Sequence, residues 1–343
     1  MDGDRISMSQ RERDRLKGMS SVLEGKRTQR EAARLLGVAP RTIRRWKKRL
    51  EAEGDVGIIH RLRGRPSNAR RRQDFRKQVL RIYAKEYKGF GPTLAAEKFA
   101  ERGLPVATET LRRWLSDVKL WKPKRRRNRH RSRRRRRECF GELVQADGSI
   151  HDWLEGRGEQ MTLLVMIDDA TSKVTARFYP AESTEGYFDL LGRYLRKHGR
   201  MAAIYADRNS VFFQTDAQGE AVATQFGRAC GDLGVQLIPA GSPQAKGRVE
   251  RLNGTAQDRL VKELRLAGAS TIEEANAVLE TTFLRWFNRR CTVKAVSAND
   301  AHRPLAPSMK LKAILSVQTQ RVVGNDYTIR LGNTIYQLKP PAL

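Results

Sequence analysis

The chain has 343 residues, with 68 Lys plus Arg against 38 Asp plus Glu, a formal net charge of +30. That length suits two to four domains, and that charge points to a polyanionic partner, nucleic acid first. No long apolar run or lipidation motif supports a membrane partner, the amino end Met1-Asp2-Gly3-Asp4-Arg5 has no apolar signal core, so a cytoplasmic location is expected, and Cys139, Cys230 and Cys291 are too scattered for a disulfide framework or a zinc knuckle.

Residues 9–24 are compatible with a helix that Gly25-Lys26-Arg27 breaks. Thr28-Gln29-Arg30-Glu31 fits a capping box and opens a short helix closed at Gly37. A second helix starts near Pro40 and carries Ile43, Trp46 and Leu50 at core spacing, which leaves Arg41, Arg44, Arg45 and Lys48 for a DNA groove. Solvated surface arginines are the plainer reading of that helix, and the charge of the chain favours the DNA-reading one. The pattern recurs: Val38-Ala39-Pro40-Arg41-Thr42-Ile43-Arg44-Arg45-Trp46 aligns with Val106-Ala107-Thr108-Glu109-Thr110-Leu111-Arg112-Arg113-Trp114, preceded by helical stretches over 74–87 and 93–102. Two tandem helix-turn-helix modules are expected, with Arg112 and Arg113 repeating the exposed pair and each Trp plugging a core. Between them Arg63-Gly64-Arg65-Pro66 is extended, narrow and cationic, suited to an A·T-rich minor groove. After them, residues 122–137 read KPKRRRNRHRSRRRRR, a self-repelling run that links and clamps phosphate.

From Glu142 strands alternate with helices: strands over 143–147, 160–167 and 173–179, a helix over 183–197, a strand over 202–207, a helix over 217–233, a strand over 235–239, and helices over 243–266 and 271–288. That order suits an α/β sheet with helices on both faces. Asp147 and Asp207 each end a strand-like run, and Glu250 lies in a helix; three carboxylates so placed in a basic chain are expected to bind divalent cations. Lys246 and Asn253 flank Glu250 on its helical face and are candidates for phosphate, as is Arg248 beside it. Asp168 and Asp169 fall in a hairpin turn, where acids bond local backbone, and His151 and Asp152 rank behind the three carboxylates.

Gln145-Ala146-Asp147-Gly148-Ser149, Tyr205-Ala206-Asp207-Arg208-Asn209-Ser210 and Ser242-Pro243-Gln244-Ala245-Lys246-Gly247-Arg248-Val249-Glu250-Arg251 resemble the three catalytic blocks of the retroviral-integrase superfamily. Within it the chain looks closest to bacterial insertion-sequence transposases of the ISNCY type, through Asp147 to Arg157. The resemblance implies an RNase H-like catalytic core with Asp147, Asp207 and Glu250 as catalytic, metal-binding residues. It implies two Mg²⁺ ions about 4 Å apart, replaceable by Mn²⁺, activating an attacking oxygen and neutralising the leaving one. The implied partners are double-stranded DNA, as element ends and target, and further copies of the chain in a homo-oligomer. No Walker phosphate loop occurs, so ATP is not implied.

The carboxyl end holds strand-like runs over 321–323, 327–331 and 334–338, the makings of a small, incomplete β-barrel. The expected domains are a first helix-turn-helix module over 1–53, a basic linker over 54–73, a second module over 74–121, an Arg-rich linker over 122–138, the catalytic core over 139–295 and a carboxyl-terminal segment over 296–343. The rival readings are a sequence-specific DNA-binding protein without catalysis, and a metal-dependent nuclease on the same fold.

Overall fold

A computed structural model describes residues 6–64, 71–123, 134–215, 218, 221–241 and 246–339. Two units are distinguished, Met1–Gln78 and Val79–Leu343.

The first unit contains helices α1 (Gln10–Leu23), α2 (Gln29–Leu35) and α3 (Pro40–Glu53), followed by a 3₁₀ turn (Gly54–Ile58). Thr28 caps α2 as its sequence demands: Glu31 Oε2 accepts from the Thr28 N–H at 2.8 Å and the Thr28 hydroxyl accepts from the Glu31 N–H at 3.3 Å. Ser9 builds the same box at the start of α1, a cap hidden in the sequence by its polar surroundings. Ile43, Trp46 and Leu50 turn inward with Met19, Ala32, Ala33 and Ile58.

In the second unit, α5 (Pro92–Glu101) and α6 (Thr108–Asp117) pack together after α4 (Gln73–Glu86), whose last turns carry the buried Val79 and Tyr83. Trp114 is only half-buried where Trp46 is buried, so the repeated motif serves two different cores.

The core sheet follows with β1 (Leu143–Ile150), β2 (Thr162–Asp168) and β3 (Val174–Tyr179) as an antiparallel meander, then α7 (Thr184–His198), β4 (Ala203–Ala206), a small hairpin of β5 (Gln214–Thr215) and β6 (Ala221–Val222), α8 (Gln225–Asp232) and β7 (Gln236–Pro239). Strand order is β3-β2-β1-β4-β7, with β4 parallel to both β1 and β7. Only β2 runs against the other four, the arrangement of an RNase H-like core. Helix α9 (Gly247–Leu266), α10 (Ile272–Val278), a π turn (Leu279–Phe283) and α11 (Leu284–Arg290) cover one sheet face, burying Leu163, Val165 and Ile167 against Val249, Leu252 and Phe283. Helices α7 and α8 cover the other, with Val144, Ala146, Leu164 and Met166 against Tyr187, Leu191 and Phe226. Sandwiched between both layers, β2 is buried at every position.

Four expectations are corrected. Strand β1 continues three residues past Asp147, which lies inside it, because its pairing with β2 extends to Ile150↔Thr162. The helix expected over 217–233 starts only at Gln225, since the Thr224 hydroxyl accepts from the Gly227 N–H at 3.0 Å and caps it there. The helix expected over 271–288 is interrupted by the π turn. In the carboxyl segment, after the short α12 (Leu311–Ile314), residues 321–323 form no strand; β8 (Thr328–Leu331) and β9 (Thr334–Gln337) make one hairpin, and no closed barrel exists among the described residues. The expected helix start at Ser242 and Pro243 lies outside the described residues.

Candidate active site

Strand pairing alone brings two of the acidic residues together. Gln145 on β1 pairs with Tyr205 on the parallel strand β4. Two residues further on each strand stand Asp147 and Asp207, so the register lays them side by side. Between them sits the Lys246 ammonium, with Nζ 2.6 Å from Asp147 Oδ1 and 3.4 Å from Asp207 Oδ2. The other Asp147 oxygen accepts from Asn253 Nδ2 at 2.8 Å. Burial pushes the Asp147 carboxyl above the usual range, and Lys246 pulls against that shift. Asp207 Oδ1 is buried and has no hydrogen-bond partner among the described residues.

Period-two alternation turns Gln145, Asp147 and Ser149 to one face of β1, and α9 meets each in turn. Gln145 Oε1 accepts from the Val249 N–H at 3.2 Å, and Ser149 Oγ accepts from Gln257 Nε2 at 3.2 Å. Lys246 and Asn253, which bond Asp147, lie four residues before and three after Glu250. Glu250 is therefore on the stripe of α9 that faces Asp147. Its side chain is exposed, and among the described residues no three His, Cys, Asp or Glu side chains are arranged to hold a metal ion.

A further carboxylate adjoins the aspartates and escaped sequence reading. Glu182 precedes α7, its Oε1 accepts from the Tyr187 hydroxyl at 2.7 Å, and its carboxyl lies where a side chain on Gly148 would be, 2.6 Å from an ideal Cβ there. Burial, then the charges of Asp207 and Asp147, raise its pKa, against the pull of Tyr187 and Lys246. The available signal was Gly148 itself, a residue without a side chain directly after a candidate ligand.

The DNA-facing candidates divide. Arg41, Arg44, Arg45 and Lys48 are all exposed on α3, and Arg112 and Arg113 are exposed on α6, where both pair with Glu109. Arg63 bonds Glu12 at 2.9 Å and the Ser7 carbonyl at 2.8 Å. Arg65 lies outside the described residues. Lys246 and Asn253 are committed to Asp147, and Arg248 pairs with the buried Asp169 at 2.9 Å. Asp168 does the local work expected of a turn acid through Oδ1, accepting from the Thr171 N–H at 2.7 Å and the Thr171 hydroxyl at 2.6 Å, and its Oδ2 also accepts from the distant Gly141 N–H at 3.0 Å; Asp169 bonds side chains distant in sequence. The Asp152 carboxylate accepts from the Gly156 N–H at 3.2 Å, and His151 rests edge-on against Trp153.

A sheet of this order, with Asp147 on one central strand and Asp207 just beyond its parallel neighbour, is that of an RNase H-like core. Residues 14–67 match the helix-turn-helix domain family. The chain is 45% identical over 329 residues to "Putative transposase y4bF" of Sinorhizobium fredii, covering 94% of this chain and 72% of that protein. It is 27% identical over 359 residues to the transposase for insertion sequence IS1202 of Streptococcus pneumoniae, covering 93% and 76%. The chain belongs to the transposases, enzymes of the polynucleotidyl transferase type, and it is a DNA-binding protein. Solved structures similar to it include the catalytic core domain of BIV integrase (19% identity, 44% of this chain and 85% of that one, TM-score 0.33) and the HTLV-2 integrase catalytic core domain in complex with magnesium (16%, 46% and 93%, TM-score 0.34). The family assignment rests on the two sequence relatives. No helix among the described residues is long and apolar enough to cross a membrane.

Proposed function

We propose that this transposase binds the terminal inverted repeats of its own element, cleaves DNA strands at the ends and joins them to target DNA in a reaction that needs a divalent metal. The observation that carries the reading is the Lys246 ammonium held between Asp147 and Asp207: two carboxylates from separate strands converge on the position of a cation. The orphaned Asp207 Oδ1 and the hard oxygen donors fit a divalent metal there. Asp147 and Asp207, with Glu250 from the facing stripe of α9, are the residues that would hold Mg²⁺ or Mn²⁺, two ions in full occupancy. Bound metal would supply charge neutralisation at phosphorus and a more acidic attacking oxygen.

The remaining roles belong to the protein's own residues. Asn253 fixes the Asp147 carboxylate by its Oδ2, and Lys246 holds the two aspartates together and offers a cation to an incoming phosphate. Residues 1–53 and 74–121 read the element end through Arg41, Arg44, Arg45, Lys48, Arg112 and Arg113, the segments 54–73 and 122–138 track phosphates, and residues 139–295 do the chemistry. A homo-oligomer assembled on DNA in the bacterial cytosol, without ATP, completes the reading. The exposed position of Glu250 favours the alternative of a DNA-binding protein without catalysis.

Labelled duplexes carrying the element ends separate the two. With Mg²⁺ or Mn²⁺ the wild type should cleave and join, while Asp147→Ala and Asp207→Ala bind equally but lose about 10³-fold or more in rate. Equal cleavage by Asp147→Ala would reject the assignment, and metal-independent binding with no cleavage by the wild type would establish the alternative.

A further inference from the structure

Helix α9 begins poorly by its own means. Its cap position is Lys246, which gives no capping side-chain bond, and its first residue is Gly247, a weak helix former. The N–H groups of a first turn need acceptors from elsewhere. One comes from β1: Gln145 Oε1 accepts from the Val249 N–H at 3.2 Å. Gln145 is in turn held at its amide end, Nε2 donating to Asp169 Oδ1 at 2.8 Å. The same Asp169 oxygen takes Arg248 Nη1 at 2.9 Å, so the residue before Val249 is anchored to the same carboxylate.

Asp169 is fully buried, yet it sits in a turn and serves no turn function. Its remaining partners come from the carboxyl end of the Arg-rich segment: the Arg134 guanidinium pairs with Oδ1, and the Arg137 N–H donates to Oδ2 at 2.8 Å. Arg136 closes over the same turn, donating to the Asp169 carbonyl at 3.0 Å and the Ser172 hydroxyl at 2.8 Å. One carboxylate thus sits among several guanidinium groups, and Arg248 is pressed by the charges of Arg136, Arg134 and Arg251. Neutralising Asp169 would leave those cations repelling one another beside the first turn of α9.

We infer that Asp169 is a positioning residue: acting through Arg248 and Gln145, it fixes the first turn of α9 against β1 and joins the end of the Arg-rich segment to the helix that carries Glu250. The inference rests on the proposed function only for what Glu250 then does; the mechanical link stands apart from it. A phosphate drawing Arg134 toward DNA would reach α9 through this one carboxylate.

Hydrogen exchange on the full chain, without DNA or metal, tests the link. Asp169→Asn should raise exchange across residues 247–253 about tenfold or more while α10 and α11 keep wild-type protection. Adding Arg248→Gln to Asp169→Asn should make exchange no faster, since the two act through one contact. Gln145→Met, which keeps the charge of Asp169 but removes the acceptor for Val249, should loosen the same turn, and it serves as the test if Asp169→Asn does not fold. Wild-type protection of 247–253 in whichever of these variants folds, or a uniform rise over the whole core, overturns the inference. Because the readout needs no reaction, it can fail while strand transfer succeeds, or hold while strand transfer is absent.

Discussion

Gly148 is followed by a strand residue and preceded by a candidate ligand, and its missing side chain has a definite occupant. An added Cβ would stand 2.6 Å from the Glu182 carboxyl, which Tyr187 holds from behind. Gly148→Ala should therefore lower the melting temperature and cut strand transfer at least about tenfold, and Glu182→Ala in the same chain should restore the melting temperature; thermal melts of the single and double variants check this. Another residue-scale outcome follows from His198, whose pKa is lowered to about 4 by burial first, then by the charges of Lys197, His302 and Lys173. The neutral ring is the form that the folded state accepts. Stability from this group is complete above its unfolded value near 6.5 and is lost as pH falls toward 4, at a slope of up to about 1.4 kcal/mol per pH unit. Denaturant titrations from pH 7 to 4 should show a flatter decline for His198→Phe. At this scale the sequence was readable where a residue's place depends on its own strand, as for Asp147 within β1 and Asp207 just after β4. It misled where partners come from afar: Asp169 looks like its neighbour Asp168, and only the fold supplies Arg134, Gln145 and Arg248.

Among the elements, α3 shows why helix periodicity was informative: one stripe is buried with Trp46, and the opposite stripe leaves Arg41, Arg44, Arg45 and Lys48 in solvent. If they meet phosphates, each replacement by Ala should lower the slope of log affinity against log salt by about 0.9, measured by band shift on an element-end duplex. A side chain that reads a base edge would instead flatten the preference for the element end over random duplex. Helix α9 was legible as a helix and as the bearer of Glu250, Lys246 and Asn253, but not as the partner of β1, because the match of 145, 147 and 149 with 249, 246, 253 and 257 exists only once the sheet is built. The late start of α8 was hidden for a different reason. Ala-rich sequence before Gln225 suits a helix, and the cap at Thr224 decides otherwise.

At the scale of the molecule, the repeat of the amino-terminal motif suggested two equivalent modules, yet the second belongs to the same unit as the catalytic core. Buried charges tie it there: Lys98 pairs with Glu263 at 2.8 Å, and Arg259 pairs with Glu97 at 2.7 Å while lying 3.7 Å over the Trp286 ring. Arg259→Ala should destabilise this unit by about 1–3 kcal/mol, because Glu97 loses its partner and Trp286 its covering guanidinium, while Lys98 still pairs with Glu263. Calorimetry should show that loss in one transition that α5 and α6 share with the core, while the transition of residues 1–78 stays in place. Lys246 carries one last consequence, for how the protein must be handled. Its side chain already stands between acids that would otherwise repel, so the polypeptide should fold without an ion. Chelator should leave the melting curve where it was, while Lys246→Met should make that curve shift with added magnesium.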